Sequence, residues 1–240
     1  MRRPIAPGAA GRWTAALAAL ALAVAALTAC TDSGDKPPPA AGDLPPGDTL
    51  VKDAAAAMRA VRTAEFDITS EGTVDRLGIR GAQGVITSEG DARGTARIDQ
   101  AGTLVELSFV AVDDTLYLKG ATGGWQQVPL AAASSVYDPS LILNPDRGVA
   151  NVLATATDAT TEARETVDGT PAYRVKANLK AQALAAIAPG VSEDVTGTLW
   201  IGTDRKVLHR ASFVVPGAGG GGTVTVTLRK FDAPVTIRAP

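Results

Sequence analysis

The chain has 240 residues, enough for one sizeable core. Its 23 Lys and Arg against 25 Asp and Glu leave a net charge of −2, with no basic excess to neutralise nucleic-acid phosphates. The single Cys excludes an internal disulfide framework, the single His argues against a His-based triad or metal site, and aromatics make up only 4%.

Residues 1–29 contain Arg2, Arg3 and Arg12 and no acid, and residues 14–27 are nearly all Ala, Leu and Val. That apolar stretch is short for a bilayer span and has the length of a signal-peptide core. It ends in Leu27-Thr28-Ala29-Cys30, the arrangement of a bacterial lipobox, in which small residues admit the peptidase and the Cys thiol takes a diacylglyceryl group. Residues 1–29 therefore read as a lipoprotein signal peptide and Cys30 as the lipidation site. Cleavage there removes three cations and no acid, so the mature chain carries −5. Two acyl chains on Cys30 meet the requirement for stable anchoring. Residues 30–48, with Pro37-Pro38-Pro39 and Pro45-Pro46, read as the lipidated Cys and a flexible tether, and residues 49–240 as the folded domain.

The spacing predicts a helix over residues 49–63, capped by Asp48, with Leu50, Val51, Ala54, Met58 and Val61 near one face. From Ala64 the period becomes two. Phe66 and Ile68 alternate with Asp67 and Thr69, Val85, Ala96 and Ile98 continue the pattern, and residues 103–112 place Val105, Leu107, Phe109 and Ala111 on one face. Asp113-Asp114 and Gly123-Gly124 turn the chain into strands at 115–119 and 125–128, giving an antiparallel meander. Residues 131–136 and 148–156 read as short helices, broken by Pro139 and Pro145. Strands resume at 163–167 and 172–178 around Asp168-Gly169. A short helix over 180–188, anchored by Leu184 and Ile187, stops at Pro189-Gly190. Strands follow at 195–201, 207–215 and 223–231, with a last short one at 235–238. The expected fold class is α+β: one curved antiparallel sheet of about ten strands, with short helices over its concave face. Small side chains on that face either close-pack or leave a cavity.

Candidate chemistry is sparse. No Gly-x-Ser-x-Gly elbow occurs. His209, between Leu208 and Arg210, reads as a solvated strand position, with no second His or Cys to share a metal. Asp113-Asp114 and Glu193-Asp194 have the local hydrogen-bonding reasons of turn residues. Gly217, Gly219 and Gly222 satisfy G-x-G-x-x-G, but an alternating strand follows where a dinucleotide site needs a helix, so this run reads as a hairpin loop. Trp125 and Trp200 read as core or rim packing.

The segment Val136-Tyr-Asp-Pro-Ser-Leu-Ile-Leu-Asn-Pro-Asp-Arg-Gly-Val-Ala-Asn-Val-Leu153 resembles the central segment of the mycobacterial LprG/LppX lipoproteins, the LppX_LprAFG family, on its LprG side. Leu50-Val51, the stretch from Asp113 to Tyr117, Trp125, Asp168-Gly169 and Ile187-Ala188-Pro189 add to the resemblance, which runs from about Leu50 to near the C-terminus. The Gly-rich loop at 217–222 departs from it. The resemblance implies a LolA/LolB-like half-barrel wrapped over helices, with an apolar cavity. It also implies a non-enzymatic carrier, without cofactor, anchored at the outer face of the cell membrane. Such a carrier binds an acylated glycolipid or triacylglycerol and transfers it toward the outer envelope, with a membrane lipid exporter as partner. The cavity lining expected on that basis is Met58; Phe66 and Ile68; Val85; Ala96 and Ile98; Val105, Leu107 and Phe109; and Leu141, Ile142, Val149 and Leu153. A domain with a solid core, acting by protein contacts in the envelope, is the alternative.

Overall fold

The computed structural model describes residues 44–72, 79–100, 102–133, 141–185, 187–188, 191–216 and 221–240. The expected signal peptide, Cys30 and most of the expected tether lie outside the described residues, as do residues 136–140 of the central segment and 217–220 of the Gly-rich loop.

Alternating apolar and polar residues produce eleven strands: β1 (Thr63–Gly72), β2 (Ile79–Thr87), β3 (Ala92–Gln100), β4 (Thr103–Val112), β5 (Thr115–Lys119), β6 (Gln126–Pro129), β7 (Thr157–Val167), β8 (Thr170–Leu179), β9 (Val195–Gly202), β10 (Leu208–Val215) and β11 (Gly222–Arg229). All join one antiparallel sheet in the order β6-β5-β4-β3-β2-β1-β11-β10-β9-β8-β7. The chain thus makes two meanders of neighbouring strands, joined at the centre where β1 pairs with β11, Phe66 opposite Leu228. Short turns join most neighbouring strands, whereas residues 180–194, which include a short helix, connect β8 to β9. At β7–β8, Asp168 (φ 48°) and Gly169 (φ 81°) both take the left-handed backbone that a two-residue hairpin requires. The edge strand β7 has the sequence TDATTEARETV, whose charged side chains discourage edge-to-edge pairing.

Among the described residues four helices accompany the sheet: α1 (Gly47–Arg59), α2 (Leu130–Ala133), α3 (Val149–Ala154) and α4 (Ala181–Leu184). Leu50, Val51, Ala54, Ala55 and Met58 form the buried stripe of α1. Each large side chain so buried contributes about 1.5–3 kcal/mol. The helix packs on α3, β7 and β9. Its start is anchored to β7: Thr161 Oγ1 donates to the Pro45 carbonyl at 2.6 Å and the Ala159 N–H to Asp48 Oδ1 at 3.2 Å. Asp48 therefore does not cap the helix; it lies in the first turn and holds the neighbouring strand, and the helix begins at Gly47, inside the expected tether.

Three other expectations change. The helix expected over 180–188 is shorter, and Ile187 packs against the core beyond its end. The helix expected over 131–136 starts one residue earlier, at Leu130, and is helical to Ala133, while residues 134–136 lie outside the described residues. No strand forms at 235–238. The segment instead turns away at Asp232, whose carboxylate accepts from the Arg62 N–H at 2.8 Å.

Candidate functional site: the inner face of the sheet

The register assigns each strand residue to a face, since directly opposed residues share one. One inner row runs Ala211 (β10), Val226 (β11), Ile68 (β1), Ala82 (β2), Ala96 (β3) and Leu107 (β4). The next runs Leu228, Phe66, Gly84, Gly94, Phe109 and Leu118. Small residues thus occupy β2 and β3 between larger ones on both sides.

Cover over this face is uneven. In the C-terminal meander, Val175, Ala177, Leu179, Leu199, Ile201 and Phe213 are each no more than 3% exposed. In the N-terminal meander, Ala96, Ile98, Val105, Leu107 and Leu118 are only partly buried although all are apolar and face inward. Between the two halves is a partly open apolar cavity of about 30 Å³, room for about two water-sized groups. Its walls are Ile68, Ile79, Ile142, Val149, Ile187, Ala188, Phe213, Val224 and Val226.

Of the residues expected at a lining, Ile68, Ile142 and Val149 border this cavity. Met58, Phe66 and Leu153 are packed at 2% exposure or less, and Phe109 at 7%. Ala96, Ile98, Val105 and Leu107 share the inner face to one side, and Leu141 is half-buried beside Ile142. Val85 is misassigned: it lies opposite Glu65 and Arg93, on the outer face, while its neighbour Ile86 is fully buried. A one-residue step reverses the face of a strand position. Phe213, Val224 and Val226 are cavity residues missed in the sequence, although the alternation of β10 and β11 places them on one face.

Residues 141–148, leading into α3, are shaped by their own polar groups. Asn144 Oδ1 accepts from the Asp146 and Arg147 N–H groups at 3.1 and 3.0 Å, and the Val149 N–H donates to the Ile142 carbonyl at 3.0 Å. A Cβ on Gly148 would stand 2.3 Å from the Leu141 oxygen and 2.4 Å from that of Ile142, so only glycine fits. This turn directs Ile142 and Val149 into the cavity wall.

The outer face is polar. Arg174, Trp200 and Arg210 stand side by side on β8, β9 and β10. Arg174 pairs with Glu162 and Glu165, Trp200 Nε1 donates to Glu165, and Arg210 pairs with Asp168 at 2.9 Å and lies over the Trp200 ring. Trp200 is therefore part of an outer ladder. His209 is not solvated as expected: it occupies a bulge in β10, half-buried, with its ring edge-on to Phe231 at 5.3 Å. Burial and the neighbouring Arg205 cation hold its pKa below the usual histidine value.

Comparison with known proteins accords with this architecture. The model of the LppX_LprAFG lipoprotein family matches residues 46–237. The lipoarabinomannan carrier protein LprG of Mycolicibacterium smegmatis is 35% identical over 231 residues, 94% of each chain. Its counterpart in Mycobacterium tuberculosis is 32% identical over 232 residues, 95% of each. The fold is that of the crystal structure of LprF from Mycobacterium bovis, with a TM-score of 0.71 at 24% identity over 85% of this chain and 99% of that one. LppX from Mycobacterium tuberculosis follows at a TM-score of 0.61 and 20% identity, over 80% and 97%. A match that spans nearly the whole described sheet, with relatives above 30% identity along the full length, makes this chain a member of the LppX_LprAFG lipoprotein family.

Proposed function

We propose that this protein is an exported lipoprotein, held at the outer face of the cell membrane by acyl chains on Cys30, that binds an acylated glycolipid or triacylglycerol and moves it toward the outer envelope. The lipid's chains lie against the inner face of the sheet, and a membrane exporter supplies them. The observation that carries this reading is the uneven cover: the inner face of β3–β5 is apolar yet only partly buried. Apolar surface left partly wet gains about 0.8 kcal/mol for each methylene it takes from water. Such binding is additive along a chain and free of directional contacts, so uptake and release are both within reach. The relatives named as lipoarabinomannan carriers support a lipoglycan or related glycolipid as ligand.

Small-molecule pockets enclose roughly 300–1,000 Å³, about ten- to thirtyfold more than this cavity. Loading therefore extends beyond it, over the partly buried apolar positions of β3–β5. The small volume favours a second reading, a solid envelope domain acting through protein contacts. Native mass spectrometry of the protein purified from an actinobacterial host separates the two. A co-purifying mass released by organic solvent supports the carrier. An unliganded mass that takes up no added diacylated lipid overturns it.

A further inference from the structure

The inner positions of β1, β2 and β11 are Ala, Gly, Val, Ile, Leu and Phe, with one exception, Ser70. Ser70 follows Ile68 by two positions in β1 and lies opposite Val224 of β11, and both of those residues wall the cavity. Its Oγ is closed off from solvent and has no hydrogen-bond partner, the only buried side-chain polar atom among the described residues in that condition. A buried hydroxyl without a partner disfavours folding, and Ala or Val would pack a strand interior at this point without that cost. The residue makes sense where an acceptor arrives from inside the cavity.

The cavity that Ile68 and Val224 wall is lined by hydrocarbon, so an acceptor arriving from it must belong to a molecule that is otherwise apolar. An acyl ester carbonyl meets this description: it accepts, does not donate, and is attached directly to the chain. Ser70 is two residues from the end of β1 at Gly72. A chain bound there would run inward past Ile68 and leave its headgroup beyond the end of β1.

The geometry points to Ser70 as a ligand-positioning residue whose O–H donates to an ester carbonyl of the bound lipid and selects ester-linked over ether-linked chains. This rests on the carrier reading above. The test compares 1,2-dipalmitoylglycerol with its dihexadecyl ether analogue, which has equal chains and no carbonyl. Binding of each to the purified protein and to Ser70→Ala is titrated by native mass spectrometry, alongside the Tm of the lipid-free proteins.

The wild-type protein is expected to prefer the ester by about five- to tenfold, the factor that one hydrogen bond supplies. Ser70→Ala is expected to bind both lipids at the ether level, with a Tm equal to or above wild type. No preference in the wild type, a preference that survives in Ser70→Ala, or a lowered Tm in that variant overturns the role of Ser70 while the carrier reading stands. Binding of neither lipid by the wild type overturns both.

Discussion

Gly84 of β2 and Gly94 of β3 lie directly opposite each other on the inner face, flanked by Phe66 and Phe109. The two strands approach so closely that a Cβ on Gly84 would stand 2.2 Å from the Arg93 oxygen, and one on Gly94 2.0 Å from the Gln83 oxygen. Both obstacles are backbone, which cannot swing aside as a side chain does. Gly84→Ala and Gly94→Ala should each lose at least about 1–3 kcal/mol in urea unfolding, the cost of overpacking. Gly102→Ala, where the Cβ meets nothing within 4 Å although φ is +84°, provides a comparison limited to backbone strain.

Ala96 is the small residue between Ala82 and Leu107 on the half-covered part of the inner face. An indole there would fill the space proposed for acyl chains. Ala96→Trp is expected to keep its far-UV circular dichroism and lose lipid uptake by more than about tenfold, with a stability change of about 1–3 kcal/mol. Undiminished uptake with an intact fold would place the lipid elsewhere.

The turn before α3 should be sensitive to single atoms. Gly148→Ala drives a methyl into three carbonyl oxygens, at 2.3, 2.4 and 2.7 Å. Asn144→Ala leaves the Asp146 and Arg147 N–H groups without their acceptor. We expect a loss of about 2 kcal/mol or more for the first and about 1–2 kcal/mol for the second in thermal unfolding.

His209 makes stability depend on pH in a defined window. Its pKa is lowered in the folded state by burial and by Arg205, while Asp168 acts weakly in the opposite sense. The unfolded chain therefore takes up a proton first as pH falls through about 6.5. The histidine's contribution is complete above that value and is lost toward its lower folded pKa. The carboxylates of Glu65, held chiefly by Lys230, and Asp232, held chiefly by the Arg62 N–H, are lowered below the ordinary carboxylate range and act at more acid pH. His209→Gln should flatten the stability profile just below pH 6.5 and leave the more acid limb unchanged, as measured by Tm against pH.

If Cys30 carries the anchor, Cys30→Ala should move the protein from the membrane fraction to the soluble fraction after cell lysis. The wild type should label with a radiolabelled fatty acid and the variant should not. Labelling of the variant would place the lipid on another residue.

Legibility in the sequence follows the chemistry of each strand. β4 and β5 are legible, because Val105, Leu107 and Phe109 alternate with Glu106 and Ser108, Leu116 and Leu118 alternate with more polar residues, and Asp113 turns between the strands with φ 52°. β2 is not, because its inner positions include Ala82 and Gly84 while the larger Val85 faces out, so hydrophobicity points to the wrong side. Ile142 and Val149 are legible as apolar members of the central segment, but their meeting with Phe213 and Val224 is not, since the two parts are far apart along the chain. Ser70 carries no signal at all in the sequence: a serine two positions after Ile68 looks like the polar end of a strand.

The sequence by itself determined the family, the antiparallel character of the sheet and most hairpins, because these depend on residues a few positions apart. Tertiary structure decided the pairing of β1 with β11, the glycine contact between β2 and β3, the half-covered inner face and the isolation of the Ser70 hydroxyl. Each of those depends on how closely distant backbones approach and on what remains to fill or solvate the space between them, quantities that no local alternation of residues encodes.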